Sequence, residues 1–428
     1  MKTMFDINES FKAARTEYNQ IYKNFLYIND YYAKLYQQDF VDLFSASTFS
    51  KVVPHWLSDV DYCALIKEDN NYEYYPSPEG DAALIHEFHK FIRRIYGLDF
   101  SCYATLICQG TMQAIDAISC ITKGKVVFVM DSTVTFAKSI PTANGAKVVL
   151  IKTDDGIIDM EDLERKISAY PEEDRMYLYI NYPNNPTGSQ LTADEMKEVV
   201  RITQKYNLKV VHDHDICMTS YAVGHPSISI FSDKEAERNC IEIYTFSKEF
   251  GLSGLRVGVI VGNRDFIEMI KYHNYEMNVM IPKLNQEVAR IAMARINPDE
   301  VRTRIGDSMC ALVNGFRGLG WEELKNPQAG ISFLLPAPKD FMKKFGNMAG
   351  EMFAFDMQKN FGIGVGPAKC NCLNKGKYIR VLSMEPADKC LEMFARISGR
   401  ISPDMPVPES LYDEYRKMIK RGESCNVR

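Results

Sequence analysis

The sequence has no uninterrupted run of the ~18 apolar residues a helix needs to cross a bilayer. Its opening residues, Met-Lys-Thr-Met-Phe-Asp-Ile-Asn-Glu-Ser, hold no apolar signal core. It also lacks an excess of positive charge. Against 51 Lys and Arg stand 56 Asp and Glu, a formal net charge of −5, so no global positive field is available to hold a phosphate backbone. Neither nucleic acid nor a membrane is expected as a partner. The 11 cysteines form no regular framework. An odd count scattered over a long chain suits a reducing compartment, and a cytoplasmic location is expected. Cys370 and Cys372 have no second pair nearby to complete a zinc site, which favours plain core or surface thiols. No internal repeat, low-complexity tract or Gly/Ser linker interrupts the 428 residues. With 46% hydrophobic and 25% charged residues the chain is far from a disordered composition. Its length suits two or three domains with substantial cores.

What is present is alternation. From Gly80 to Tyr96, Leu84, Phe88, Phe91, Ile92 and Ile95 recur at helical steps, and a second helix is expected over Thr111 to Ile121. Short β-rich runs follow at Val126–Met130, Lys147–Ile151, Met176–Ile180, Leu208–His212, Ile241–Thr245 and Val257–Val261, with helical stretches at Met160–Ala169 and Ala193–Tyr206 between them. Nearly all-apolar strands alternating with helices predict an α/β fold: a large domain with a mainly parallel sheet sandwiched by helices. After about Pro282 come a long helical stretch to about Leu319, strands near Ile331–Leu335 and Tyr378–Ser383, and closing helices, a smaller α+β domain. The expected division is 1–54 as a terminal arm with part of the small domain, 55–300 as the large domain and 301–428 as the small one.

In open α/β sheets ligands sit beyond the carboxyl ends of strands. Three such ends carry unusual residues: Asn-Tyr-Pro-Asn-Asn-Pro-Thr-Gly at 181–188, His-Asp-His-Asp at 212–215, and Thr-Phe-Ser-Lys-Glu-Phe-Gly-Leu-Ser-Gly-Leu-Arg at 245–256. In order and spacing these motifs resemble the class I/II aminotransferases, a family of fold-type I pyridoxal-phosphate enzymes, and the resemblance runs from about Tyr75 to Arg380. It implies an aspartate-aminotransferase-like fold with a seven-stranded-type sheet, pyridoxal 5'-phosphate as cofactor, and transfer of an amino group between an α-amino acid and a 2-oxo acid.

Such a cofactor needs an amine for a Schiff base, a carboxylate for its ring nitrogen and donors for its phosphate. The resemblance assigns Lys248 as the Schiff-base lysine and Asp213 as the ring-nitrogen partner. Asn185, stiffened by Pro183 and Pro186, matches the residue that bonds the phenolic oxygen near the substrate carboxylate. Thr245, Ser247 and Arg256 match phosphate ligands, and Gly110-Thr111-Met112 opens a helix whose free amides suit an anion. Arg380 matches the arginine that clamps the substrate carboxylate. Tyr75 matches the tyrosine that reaches the neighbouring subunit's cofactor, which implies a homodimer with shared active sites.

Two positions depart from the family pattern. Ile216 stands where a tyrosine usually donates to the phenolic oxygen, with Tyr221 or His214 as substitutes, and Val134 where an aromatic usually stacks on the ring, with Phe136 as a substitute. These departures keep a lyase, cyclase or oxidase open as an alternative, and a non-catalytic cofactor-binding regulator as another. His212-Asp213-His214-Asp215 imitates a metal cluster, but strand alternation sends the histidines to one face and the aspartates to the other, so no metal is expected. Gly362-Ile-Gly-Val-Gly366 imitates a nucleotide loop but lacks the strand-to-helix unit and reads as a turn. Ser45, Ala46 and Ser47 are expected near the substrate.

Overall fold

The computed structural model describes residues 17–45, 51–67, 75–221, 227–277 and 280–425. Seven strands form the large sheet: β1 (Ala104–Cys108), β2 (Val126–Met130), β3 (Lys147–Ile151), β4 (Arg175–Asn181), β5 (Lys209–Asp213), β6 (Cys240–Thr245) and β7 (Gly258–Gly262). Their order is β1-β7-β6-β5-β4-β2-β3. β7 runs antiparallel to both neighbours and the other pairings are parallel. β2, β6 and β7 are buried along their whole length. A sheet covered on both faces leaves no solvent side on which polar residues could alternate, so its strands read as apolar runs. Leu178, Ile180 and Val210 pack into one core, and Tyr177, Tyr179 and Val211 into the core on the opposite face.

The smaller sheet joins β8 (Ser332–Pro336), β10 (Tyr378–Leu382) and β9 (Gly366–Pro367), all antiparallel with β10 central. Part of the Gly362–Gly366 segment thus forms strand edges in this domain. The expected long helix after Pro282 is two helices, Lys283–Arg295 and Pro298–Gly318. Asn297 caps the second by accepting from the amides of Asp299 and Glu300, and Pro298, which has no N–H to give, occupies its first turn. Val301 and Ile305 of that helix enter the large-domain core, whereas Met309, Leu312 and Phe316 enter the small-domain core, so one rod joins both.

Helix Glu17–Tyr36 buries Ile21, Phe25, Ile28 and Tyr32, one stripe at helical spacing, in the small-domain core. No helix among the described residues is long and apolar enough to cross a membrane. The described cysteines are free thiols, with Cys370 and Cys372 buried.

Candidate active site

Parallel pairing brings the three unusual strand ends side by side: Asn181 of β4 lies opposite Asp213 of β5, and Asp213 opposite Ile243 of β6. Asn181 Nδ2 donates to the Asp213 carbonyl at 3.1 Å and its Oδ1 accepts from the Asn185 amide at 3.1 Å, which ties the Pro-rich loop to β5. The Asp213 side chain is buried. Tyr179 donates its hydroxyl to Asp213 Oδ2, while Oδ1 has no hydrogen-bond partner in the chain. Burial, and then the neighbouring Asp215 carboxylate, push the Asp213 carboxyl well above the usual range; the Tyr179 hydrogen bond and Lys248 pull it back.

Lys248 follows β6 in the same cleft. It keeps some solvent contact at the cleft mouth but is surrounded by protein. That burial lowers its affinity for a proton; Asp215 and Asp213 oppose the effect, and Arg380 and Arg256 reinforce it. All four charged residues therefore lie in electrostatic reach of one amine, and a neutral amine is a nucleophile.

A second group of donors gathers at one end. Helix Thr111–Cys120 starts at Gly110, whose φ of 85° and ψ of 177° are open essentially to glycine alone, and no side chain caps its first amides. A Cβ on Gly110 would lie 3.2 Å from Arg256 Nη2 and 3.8 Å from Thr245 Oγ1. Thr245 Oγ1 in turn donates to Ser247 Oγ at 2.9 Å and accepts from the Ser247 amide at 3.1 Å. Arg256, in the left-handed region at φ 56°, donates to the carbonyls of Ser253 and Gln109. Thr111 Oγ1 is buried without a partner, and Met112 is largely exposed. Uncapped amides, a guanidinium and hydroxyls around a space only glycine leaves open form an anion cradle.

From the small domain, β10 places Arg380 between Leu334 and Gly366. Its Nη1 donates to Asn185 Oδ1 at 3.2 Å and Nη2 to the Phe44 carbonyl at 3.3 Å; Nε is buried without a partner. The Tyr22 ring meets Phe44 at 5.6 Å, tilted by 51°, and the Arg380 guanidinium lies over Phe44.

The structure thus brings together Lys248, Asp213, Asn185 and Arg380, and gathers Gly110, Thr111, Thr245, Ser247 and Arg256. Tyr75 is not among them: it is 84% exposed. Ala46 and Ser47 lie outside the described residues. Neither suggested stand-in for a tyrosine at Ile216 is available. Tyr221 donates its hydroxyl to the Gly330 carbonyl at 2.6 Å. His214 lies on the opposite face of the strand, stacked on His212 at 4.7 Å and bonded to Ser227 Oγ at 2.6 Å. Ile216 itself is a core residue. Val134 and Phe136 both pack, half-buried, against the core on the Tyr179 face.

His212, His214 and Glu242 hold three ligand-type atoms within 4.8 Å of one another. Hydrogen bonds hold Glu242 and His212, while His214 Nδ1, 3.3 Å from Glu242 Oε1, has no hydrogen-bond partner. Glu242 accepts from the Ile230 amide, Tyr244 and Ser229, and meets His212 Nδ1 at 2.8 Å, while His212 Nε2 meets the Tyr182 carbonyl. A groove of about 1280 Å³ lined by Asp155, Thr187, Trp321 and Lys339 holds none of the cleft's charged groups. Sequence reasoning missed Tyr179 and Asp215. Both were signalled by parity: Tyr179 and Asn181 alternate onto one face of β4, as Asp213 and Asp215 do two residues apart.

Solved structures place the architecture. BacF from Bacillus subtilis superposes with a TM-score of 0.78 at 16% identity, covering 95% of this chain and 100% of that one. An aspartate aminotransferase from Thermotoga maritima gives 0.75 at 16% identity, covering 91% and 98%. Among curated proteins, the L-glutamine–4-(methylsulfanyl)-2-oxobutanoate aminotransferase of Bacillus subtilis is 31% identical over 177 residues, 41% of this chain and 44% of that protein. An LL-diaminopimelate aminotransferase of Dehalococcoides mccartyi is 26% identical over 230 residues, 52% of this chain and 55% of that protein. The chain spans about half the length of the curated relatives it matches. Residues 43–389, which include every element of the cleft, match the family described as aminotransferase class I and II, and the chain belongs to that family.

Proposed function

We propose that this chain is a pyridoxal-phosphate-dependent aminotransferase that moves an amino group between an α-amino acid and a 2-oxo acid. The observation that carries this reading is the buried Asp213, one oxygen bare, in the same cleft as Lys248 and the unpaired guanidinium of Arg380. The polar atoms left without partners match the cofactor's polar ends: Asp213 Oδ1 for a ring N–H, Thr111 Oγ1 beside the anion cradle for a phosphate, and Arg380 Nε for a substrate carboxylate. When bound, the cofactor supplies an aldehyde for amines and a protonated ring that draws electrons from the substrate α-carbon.

The chain's own residues divide the remaining work. Lys248 Nζ would hold the cofactor through its aldehyde and, as a neutral amine, would serve as the base that moves the proton of the substrate α-carbon. Asp213 Oδ1 holds the ring nitrogen protonated. Gly110, Thr111 and Met112 amides, Thr245, Ser247 and Arg256 hold the phosphate. Asn185 holds the phenolic oxygen. Arg380 orients the substrate through its carboxylate with a planar fork of donors.

The active unit is a homodimer with shared sites. Tyr75 is 84% exposed and Tyr272 70%, on segments joined by the Lys271–Glu79 ion pair, which suits a surface that meets a second copy. The free thiols and acidic balance fit the cytoplasm.

Borohydride reduction of the cofactor-loaded protein followed by peptide mass spectrometry should mark Lys248. A panel of amino donors, read by mass spectrometry, should then yield 2-oxo products and an aminated cofactor. Release of ammonia or an eliminated product without any 2-oxo acceptor would instead establish the lyase, cyclase or oxidase reading that Ile216 motivates. An unmodified Lys248 would refute both.

A further inference from the structure

We propose that Tyr179 is a positioning residue for amino transfer: its phenol holds one oxygen of Asp213, so that the other oxygen alone is presented, ionised, to the cofactor's ring nitrogen. The inference rests on the aminotransferase reading and adds a residue to it.

A carboxylate on a strand end can rotate and offer either oxygen. At position 213 the backbone and the carboxylate are each held by one hydrogen bond. Asn181 Nδ2 pins the residue's own carbonyl at 3.1 Å, and the Tyr179 hydroxyl donates to Oδ2. Oδ1 is left as the single unsatisfied acceptor of a buried side chain. The Tyr179 ring is fully buried in the core that also holds Val211, its register partner on β5, so it cannot swing away without opening the core on that face.

The hydroxyl also acts on charge. Asp213 lies in a surround that favours the neutral acid, beside a second carboxylate, Asp215. The groups that oppose neutralisation are the Tyr179 hydrogen bond, Lys248 and the Asp215 backbone amide, and of these the Lys248 amine is the one whose charge would change on bonding an aldehyde. The Tyr179 hydroxyl, a side-chain donor that stays put through the reaction, then helps to keep the proton on the ring rather than on Asp213.

The fold supplies a matched control. Tyr177 lies two residues back on the same strand, faces the same core, is equally buried, and its hydroxyl has no hydrogen-bond partner. Tyr177→Phe and Tyr179→Phe each remove one buried hydroxyl from one core; only the second removes a bond to Asp213.

The experiment loads wild type, Tyr177→Phe, Tyr179→Phe and Asp213→Asn with pyridoxal phosphate carrying nitrogen-15 in the ring, and reads the nitrogen chemical shift beside kcat and KM. Wild type and Tyr177→Phe should show a protonated ring. Tyr179→Phe should move toward the unprotonated shift set by Asp213→Asn, with kcat down roughly ten- to a hundredfold, the worth of one hydrogen bond to a charged group, and KM little changed. An unshifted signal in Tyr179→Phe, or losses in Tyr177→Phe of the same size, would overturn the proposal and leave Tyr179 a packing residue. A wild type that forms no bond between Lys248 and the cofactor would instead sink the aminotransferase reading itself.

Discussion

Replacing Arg380 with methionine should make the ligand-free protein more stable and at the same time abolish recognition of a carboxylate. Arg380 is 7% exposed, and its two hydrogen bonds, at 3.2 and 3.3 Å, go to neutral oxygens. No carboxylate among the described residues pairs with it, and burial holds its guanidinium below the usual range. A buried charge without a counter-ion costs several kcal/mol, and exchange of buried ionic groups for well-packed apolar ones is often stabilising by about 1–4 kcal/mol. A substrate carboxylate offsets that cost with two charge-assisted bonds of about 1.5–3 kcal/mol each. Losing both removes about 3–6 kcal/mol, roughly a hundred- to ten-thousandfold in kcat/KM. Arg380→Lys keeps the charge without the fork and should fall between. Thermal unfolding of the ligand-free protein, and the Kd of an α-methyl amino acid that cannot lose an α-hydrogen, separate the two effects. If Arg380→Met bound that ligand as tightly as wild type, or unfolded several degrees lower, the argument from an unpaired charge would fail.

Three further outcomes follow from the cleft's geometry. Gly110→Ala puts a Cβ 3.2 Å from Arg256 Nη2 at a backbone angle that costs about 1–3 kcal/mol for other residues, so cofactor affinity measured by equilibrium dialysis should fall about tenfold or more. Asp215→Asn removes the strongest attraction holding a proton on Lys248, and the low-pH limb of kcat/KM should move to lower pH by on the order of one pH unit; an unmoved limb would show that Asp215 does not sense the amine. Glu249, next to Lys248, is buried and accepts from the Met218 amide and Thr219 Oγ1, yet burial pushes its carboxyl up to about 7 from 4.5. A raised acid binds a proton in the folded state that the unfolded chain lacks, so its stability contribution is present below pH 4.5 and is lost as pH rises through about 7. Urea unfolding at pH 5 and pH 8 should show that loss, on the order of 3 kcal/mol, in wild type and not in Glu249→Gln.

The large sheet was legible because strands buried on both faces are short apolar runs that stop abruptly where function begins; six of its seven strands lie within a residue of their expected spans, and the edge strand β1, Ala104–Cys108, had none. The cleft was legible to the degree that its residues follow strand ends, as Asp213 and Lys248 do. Arg380 was reached only through resemblance, because its contact with Asn185 joins two domains and no local period encodes that. The break at Ile296-Asn297-Pro298 was masked by continuous helical spacing on either side, although the Asn-Pro pair is itself a cap signal. Tyr75 belongs, on the dimer proposal, to a partner's site, so a single chain leaves it in solvent.

Ile216 shows a deeper limit. Its side chain reveals that a hydroxyl donor is missing from the expected place, but what a site does about a missing donor is decided by which side chains converge, and convergence depends on strand register. Here register sends His214 to the far core and Tyr221 to the Gly330 carbonyl, so neither stands where the expected donor would. It brings Tyr179 to Asp213 and Asp215 to Lys248 instead. On the proposed reading, the charged contacts that register does supply lie at the two ends of the reacting system, the ring nitrogen and the amine. Asp215 also repels Asp213, so substitutions at Tyr179 and Asp215 should couple at the ring nitrogen: the double variant Tyr179→Phe/Asp215→Asn should keep the displaced pH limb but show a smaller ring-nitrogen shift than Tyr179→Phe alone. A double variant with the full ring-nitrogen shift of Tyr179→Phe would mean that Asp215 does not sense Asp213.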